Sequence, residues 1–133
     1  MHSEYYEISK EVIERIKKVE SSKKKVCAVG TTVTRSLEQY ALNSQLSGEA
    51  DIFLYPGVKF NYVNTLLTNF HAPRSTPLIL LNAFVTYKLS SNRNIPIDDA
   101  LIEEAKGIVK DMYKYSLDNG FKFLSYGDSC LIL

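Results

Sequence analysis

The sequence holds 133 residues, 45% of them apolar and 11% aromatic, enough to fill the core of one domain. Sixteen Lys and Arg stand against fifteen Asp and Glu, a net charge of +1, and this mixed composition excludes a disordered, collagenous or coiled-coil chain. No stretch approaches the ~20 apolar residues of a membrane span. The N-terminus (Met1-His2-Ser3-Glu4-Tyr5) has no basic-then-apolar signal, so the expected address is the cytoplasm.

After an extended start, Ile8-Ser9 reads as an apolar residue before an N-cap, and Val12, Ile13, Ile16 and Val19 make one helical face. Ser21 to Lys25 ends that helix. Val26-Cys27-Ala28-Val29 is a short apolar, β-prone run expected to be covered on both faces. Gly30-Thr31-Thr32 turns into a second helix with Leu37, Tyr40 and Ala41 inward. Ser44 to Asp51 reads as loop, Ile52 to Tyr55 as a buried strand stopped by Pro56-Gly57, and Asn61 to Thr68 as a third strand. Pro73 and Pro77 bracket a loop, with Pro77 in the first turn of a helix to about Lys88. Ser90 to Pro96 is a surface connection. Ile97 to Leu117 is the clearest helix, with Leu101, Ile102, Ala105, Ile108, Val109 and Met112 on one stripe and Asn119-Gly120 as a left-handed cap. Phe121 to Tyr126 and Cys130 to Leu133 read as two strands around Gly127-Asp128. The alternation predicts an α/β fold in a single domain, 1–133. Its sheet is small, mainly parallel and flanked by helices, with functional loops at the strands' carboxyl ends. The apolar end at Leu133 and the small sheet point to part of a larger architecture.

Charge is uneven. Between Lys10 and Lys25 seven bases face three acids, a stretch able to meet a nucleic-acid backbone, although a solvated helix face is the commoner reason for such a run. From Asp98 to Asp118 six acids face three lysines, a face that RNA phosphate avoids. Cys27 and Cys130 lack C-x-x-C spacing and read as buried or reduced thiols, not as a disulfide or zinc site.

Three clusters carry chemistry. At Gly30-Thr31-Thr32, backbone N–H groups and two hydroxyls can meet an anion, although a strand-to-helix turn capped by Thr is the commoner reason for such a sequence. Arg35, one turn on, can grip phosphate or carboxylate with a bidentate fork, or form a surface ion pair with Glu38. Thr68-Asn69-Phe70-His71-Ala72-Pro73-Arg74-Ser75-Thr76 is the densest polar cluster, its prolines restricting the backbone. His71 there titrates near neutrality, either as a proton carrier or as a histidine satisfied by backbone. No second His stands at ligand spacing, so no metal is expected. Ser125-Tyr126-Gly127-Asp128-Ser129 is a tight turn that can place Tyr126 and Asp128 at a pocket mouth.

In order, Met1 to Glu4, Val29 to Glu38, Asp51 to Gly57, Leu67 to Thr76 and Phe123 to Asp128 resemble the C-terminal portion of the S-adenosylmethionine:tRNA ribosyltransferase-isomerase family of queuosine biosynthesis. The resemblance runs over essentially the whole chain, and the T-N-F-H-x-P-[KR]-S-T string is its most specific part. Ala72 and Pro77 stand where the family has Leu. The family's P-x-x-x-R-D-type and G-x-G-T-F segments are absent, and Met1 aligns with an internal family methionine.

The resemblance implies the C-terminal part of an α/β domain without the family's β-barrel. It implies transfer and isomerisation of the ribosyl moiety of S-adenosylmethionine onto 7-aminomethyl-7-deazaguanine in tRNA, giving epoxyqueuosine, adenine and methionine. S-adenosylmethionine is then a consumed substrate, and no cofactor or metal is implied. The implied partners are that tRNA, S-adenosylmethionine and a missing N-terminal half, with no membrane. His71, Asn69 and Asp128 are the implied catalytic positions. Thr31, Thr32, Arg35, Thr68, Arg74, Ser75 and Tyr126 are the implied substrate contacts. Gly30 to Arg35, Thr68 to Ser75 and Tyr126 to Asp128 are then expected to line one cleft. The competing reading is a non-catalytic fragment or a stand-alone nucleotide- or tRNA-binding module.

Overall fold

Local signals account for most helix ends. In the computed structural model, which describes residues 2–133, Ser9 caps α1 (Lys10–Glu20) by accepting from the Val12 N–H at 3.3 Å. Asp98 does the same for α4 (Asp99–Asp118), accepting from Leu101 at 2.8 Å. Ser75 caps α3 (Thr76–Arg93), with Pro77 in its first turn, and Asn94 ends it in the left-handed conformation. That helix therefore outruns the expected end at Lys88. The remaining helix, α2 (Thr31–Asn43), starts from Gly30.

The strands are β1 (Glu4–Glu7), β2 (Cys27–Val29), β3 (Ser47–Ala50), β4 (Thr65–Asn69) and β5 (Ser129–Ile132). β1 pairs antiparallel with β3, Glu4 opposite Ala50. A second sheet has the order β2-β4-β5, and β2 runs parallel to β4 with Cys27 opposite Thr65 and Val29 opposite Leu67. The fold is α/β with small sheets, and among the described residues neither sheet closes into a barrel. No helix among them is long and apolar enough to cross a membrane.

The chain divides into two compact units. The first runs to Phe53 and adds Phe60–Thr68 and Leu131–Leu133; its core includes Tyr6, Ile13, Ile16, Leu37 and Leu66. The second comprises Leu54–Lys59 and Asn69–Cys130, where α3 and α4 pack on each other through Leu81, Phe84, Leu101, Ala105 and similar residues. Met1, quoted in the first family motif, lies outside the described residues.

Several expected elements differ, each for a local reason. Ser44 to Asp51 is not all loop, because β3 there is held by backbone pairing. The Ile8 N–H donates to Leu46 O at 2.7 Å, and the Tyr6 hydroxyl donates to Gln45 O at 2.8 Å. Ile52 to Tyr55 is not a strand: Phe53 and Tyr55 are exposed and only Leu54 is buried. Side chains of α2 replace the strand neighbour it would need, as described below. β2 is covered on one face only, with Ala28 fully buried but Cys27 exposed and Val29 62% exposed. Phe121 to Tyr126 is irregular, because its aromatic side chains pack and its backbone turns at Leu124 (φ 70°). Val12 and Ile108 face solvent despite their helical spacing, and Ala41 is only half-buried.

Candidate functional site

In the first unit, the sequence Val29-Gly30-Thr31 must leave a strand and enter a helix without a linker. Gly30 permits this at φ 97°, a conformation that disfavours any side chain, and its N–H donates to Leu67 O at 2.8 Å. Gly30, not a threonine, is the N-cap, and no side chain caps this helix. Thr31 is half-buried and Thr32 exposed at the helix start, while Thr34 folds its hydroxyl back onto Gly30 O at 2.9 Å.

The inward face of α2 is polar, and burial obliges each polar group to find a partner. Arg35 is 7% exposed; its Nη2 donates to Ala50 O at 2.7 Å and its Nε to Ile52 O at 3.3 Å. Its Nη1 lies 3.8 Å from the Glu4 carboxylate, so the expected surface pair with Glu38 is replaced by a buried brace. Glu38, 1% exposed, accepts the N–H groups of Asn61, Tyr62 and Val63 at 2.7, 2.9 and 3.0 Å. Gln39 Oε1 accepts the N–H groups of Asp51 and Ile52 at 3.2 and 3.0 Å. These three side chains serve as the hydrogen-bonding edge that residues 50–52 and 61–63 would otherwise find in a sheet. Thr68, buried on β4, ends the first unit.

In the second unit, Asn69 is half-buried at the end of β4, and Phe70 behind it is 2% exposed. Phe70 stacks on Phe123 (centroids 4.9 Å apart, planes at 22°) and meets the edges of Tyr113 at 5.3 Å and Phe121 at 6.0 Å. The backbone follows the rings. The His71 N–H donates to the Tyr113 hydroxyl at 2.9 Å, and Phe70 O accepts the Leu124 N–H at 2.9 Å. Burial pushes the His71 imidazole below its ordinary pKa, so its neutral form, able to accept a proton, is favoured near neutrality. Burial also pushes the Tyr113 phenol up, which keeps it protonated.

Arg74 is exposed at φ 59°, a left-handed conformation unusual for a residue with a side chain. The Ser75 hydroxyl donates to Ala72 O at 2.7 Å and accepts from Leu78 N–H at 3.4 Å, so it is committed to starting α3.

The loop from Lys122 to Asp128 is clasped at its base. The Asp128 N–H donates to Lys122 O at 2.7 Å, and the Lys122 N–H returns to Asp128 Oδ2 at 2.8 Å. A Cβ on Gly127 would sit 2.4 Å from Lys122 O, so only glycine fits there. Within the clasp, the Gly127 N–H donates to Leu124 O at 3.0 Å, and Tyr126 stands at the turn, 102% exposed.

The sequence-derived candidates therefore fall in two sets. Thr31, Thr32, Arg35 and Thr68 lie in the first unit; Asn69, His71, Arg74, Ser75, Tyr126 and Asp128 lie in the second. Within the second, Phe70 joins the His71 and Tyr126-Gly127-Asp128 motifs through Phe123 and the Leu124 N–H. Sequence reading missed Tyr113, Phe121 and Phe123 as supports of this site. The signal was an aromatic spacing beyond a helix end, which reads equally as a strand. It also missed Glu38 and Gln39, whose sign was their place beside the inward Leu37 and Tyr40 of α2. Both cysteines are free thiols, and among the described residues no group of three or more His, Cys, Asp and Glu is placed to hold a metal ion.

Comparison with known proteins adds an independent line. A family model described as "Queuosine biosynthesis protein" matches residues 1–94. The chain is 42% identical over 137 residues to the S-adenosylmethionine:tRNA ribosyltransferase-isomerase of Halothermothrix orenii, covering 100% of this chain and 35% of that protein. It is 42% identical to the Coxiella burnetii protein of the same name, covering 99% of this chain and 34% of the relative. A crystal structure of S-adenosylmethionine tRNA ribosyltransferase from Thermotoga maritima superposes with a TM-score of 0.74 at 32% identity, over 97% of this chain and 40% of that one. The chain thus spans about a third of the length of the curated relatives it matches.

Proposed function

Since the chain belongs to the queuosine biosynthesis protein family, we propose that it carries part of the site of an S-adenosylmethionine:tRNA ribosyltransferase-isomerase. The reaction is transfer of the ribosyl group of S-adenosylmethionine to 7-aminomethyl-7-deazaguanine in tRNA, with isomerisation to epoxyqueuosine and loss of adenine and methionine. One observation carries this reading: relatives bearing that name align with the whole chain at about 42% identity, the polar loop from Thr68 to Thr76 included.

The geometry supports particular roles. His71, disposed to its neutral form by burial, takes the proton next to the sulfonium-activated C5′. Asn69, beside it on the chain, and the second carboxylate oxygen of Asp128 hold ribose hydroxyls. Arg74, exposed on its left-handed turn, meets phosphate or the methionine carboxylate, and the threonines at the start of α2 orient an anionic group. Arg35, Thr68 and Ser75 act behind these contacts, because burial or capping already commits them.

The test is adenine release from S-adenosylmethionine in the presence of substrate tRNA. The chain is assayed alone and with a polypeptide supplying the remaining length of a relative. Release is expected only from the combination, because attack geometry worth roughly 7–11 kcal/mol needs every reacting group in place. Multiple turnovers by the chain alone would overturn the shared-site reading. No release from a folded combination would overturn the enzymatic one.

A further inference from the structure

We propose that Tyr126, held out on the Lys122–Asp128 clasp, is a stacking platform for an unpaired RNA base. This rests on the tRNA reading above and adds the place and chemistry of one contact.

Exposure alone says little, since isolated surface aromatics are common. The backbone under this ring is what distinguishes it. The clasp closes with two hydrogen bonds of 2.7 and 2.8 Å between Lys122 and Asp128. The Gly127 N–H closes the turn on Leu124 O at 3.0 Å, and the Leu124 N–H ties the loop to the buried Phe70 at 2.9 Å. Gly127 is pressed against Lys122 O with no room for a side chain. A ring that is 102% exposed is thus mounted on a backbone with little freedom left to lose on binding.

Charge in this unit is balanced, with eight Lys and Arg against seven Asp and Glu. The span from Asp98 to Asp118 has six acids against three lysines, so the unit offers a phosphate backbone no long basic run. Stacking needs no cation, because every base has a π-face. Ser125 and Asp128, one and two residues from Tyr126 and exposed with it, carry polar groups suited to the edges of a base, and Leu124 two residues before is exposed as well. Single-stranded segments are where bases lie open to such a contact, as in a tRNA anticodon loop.

The experiment measures affinity of the 133-residue chain for a short single-stranded oligoribonucleotide and for the same sequence annealed as duplex. Fluorescence anisotropy gives the affinity, and quenching of 2-aminopurine in the strand reports stacking. Tyr126→Ala is expected to weaken single-strand binding about tenfold and abolish the quench, within the range known for base–aromatic stacking. Tyr126→Phe, which keeps the ring face, is expected to retain both. Asp128→Ala, which cuts the clasp, is expected to lose part of the affinity, and Asp128→Asn, whose amide oxygen can still accept the Lys122 N–H, to restore it.

Single-strand affinity unchanged in Tyr126→Ala would overturn the proposal, as would an equal loss for duplex or no oligoribonucleotide binding by the wild-type chain. So would a Tyr126→Ala defect confined to assembly with the remaining polypeptide of a relative, which would make a protein surface the occupant. The adenine-release assay separates this from the proposed function. Release that persists without Tyr126-dependent binding removes the platform only. Tyr126-dependent binding without release removes the ribosyl-transfer reading only.

Discussion

The inward face of α2 and the loops around Phe70 both hold polar residues that sequence reading singles out, yet the two regions use them oppositely. In the first unit, Arg35, Glu38 and Gln39 spend their hydrogen bonds on the protein's own backbone at residues 50–52 and 61–63. In the second, an aromatic cluster and main-chain bonds do the holding, so Arg74 and Tyr126 are carried without being the supports. A charged residue in a family motif can therefore be architecture, and the test is what its donors and acceptors already touch.

The sharpest way to break the comparison is at its two centres. His71→Ala at this position of a full-length family member should lower turnover by about 10²- to 10⁴-fold, the usual worth of a positioned acid or base, with little change in melting temperature. Adenine release measured beside thermal unfolding checks it. A large fall in melting temperature with activity kept per folded molecule would move His71 into the architectural class. Glu38→Ala should do the reverse. It strands three N–H groups, that of Val63 buried and those of Asn61 and Tyr62 partly buried, so a loss of about 2–4 kcal/mol of stability is expected by denaturant unfolding. A loss below about 1 kcal/mol would mean that residues 61–63 are held by something other than this carboxylate.

Gly127→Ala sharpens the second half. Its Cβ would meet backbone, not a flexible side chain, at 2.4 Å from Lys122 O. A cost of about 1–3 kcal/mol is expected, as for other forced contacts, together with loss of the clasp amides' protection from hydrogen exchange. Unaltered exchange at Asp128 and Lys122 would mean the clasp survives the strain.

The smallest effect is a pH dependence. Burial lowers the folded pKa of His71 below the unfolded value of about 6.5, so above that pH both states carry it neutral and it contributes nothing. As pH falls through 6.5 the unfolded state gains its proton first, and stability declines until the folded pKa is passed. Replacing His71 with Gln should flatten that decline. The unfolding free energies of the two proteins, compared from pH 8 down to pH 5, check it, and parallel curves would locate the titrating group elsewhere.

Helix positions were legible because their causes are local. Ser9, Ser75 and Asp98 supply cap oxygens, Pro77 suits a first turn, and Gly120 takes the left-handed conformation after α4. The parallel run of β2 and β4 followed from the strand–helix–strand order. The T-N-F-H-A-P-R-S-T string marked the candidate site without any coordinates. Strand identity was the weaker part. Ser47 to Ala50 has no apolar alternation and is a strand because β1 offers it a backbone partner. Ile52 to Tyr55 has the composition of a strand and is none: Gln39 and Arg35 take the backbone N–H and C=O of Ile52, and Phe53 and Tyr55 are exposed.

By itself, then, the sequence of this protein determined where its helices lie and the motif that marks its family, all properties of neighbours within a few residues. Only the tertiary structure decided which polar side chains remain available for chemistry. Arg35 and Glu38 read as a surface pair in the sequence, and each instead finds partners through folding, in the carbonyls of Ala50 and Ile52 or in the N–H groups of Asn61, Tyr62 and Val63. Hydrogen-bond partners far along the chain are set by packing, and a buried polar group takes the nearest one that excludes water.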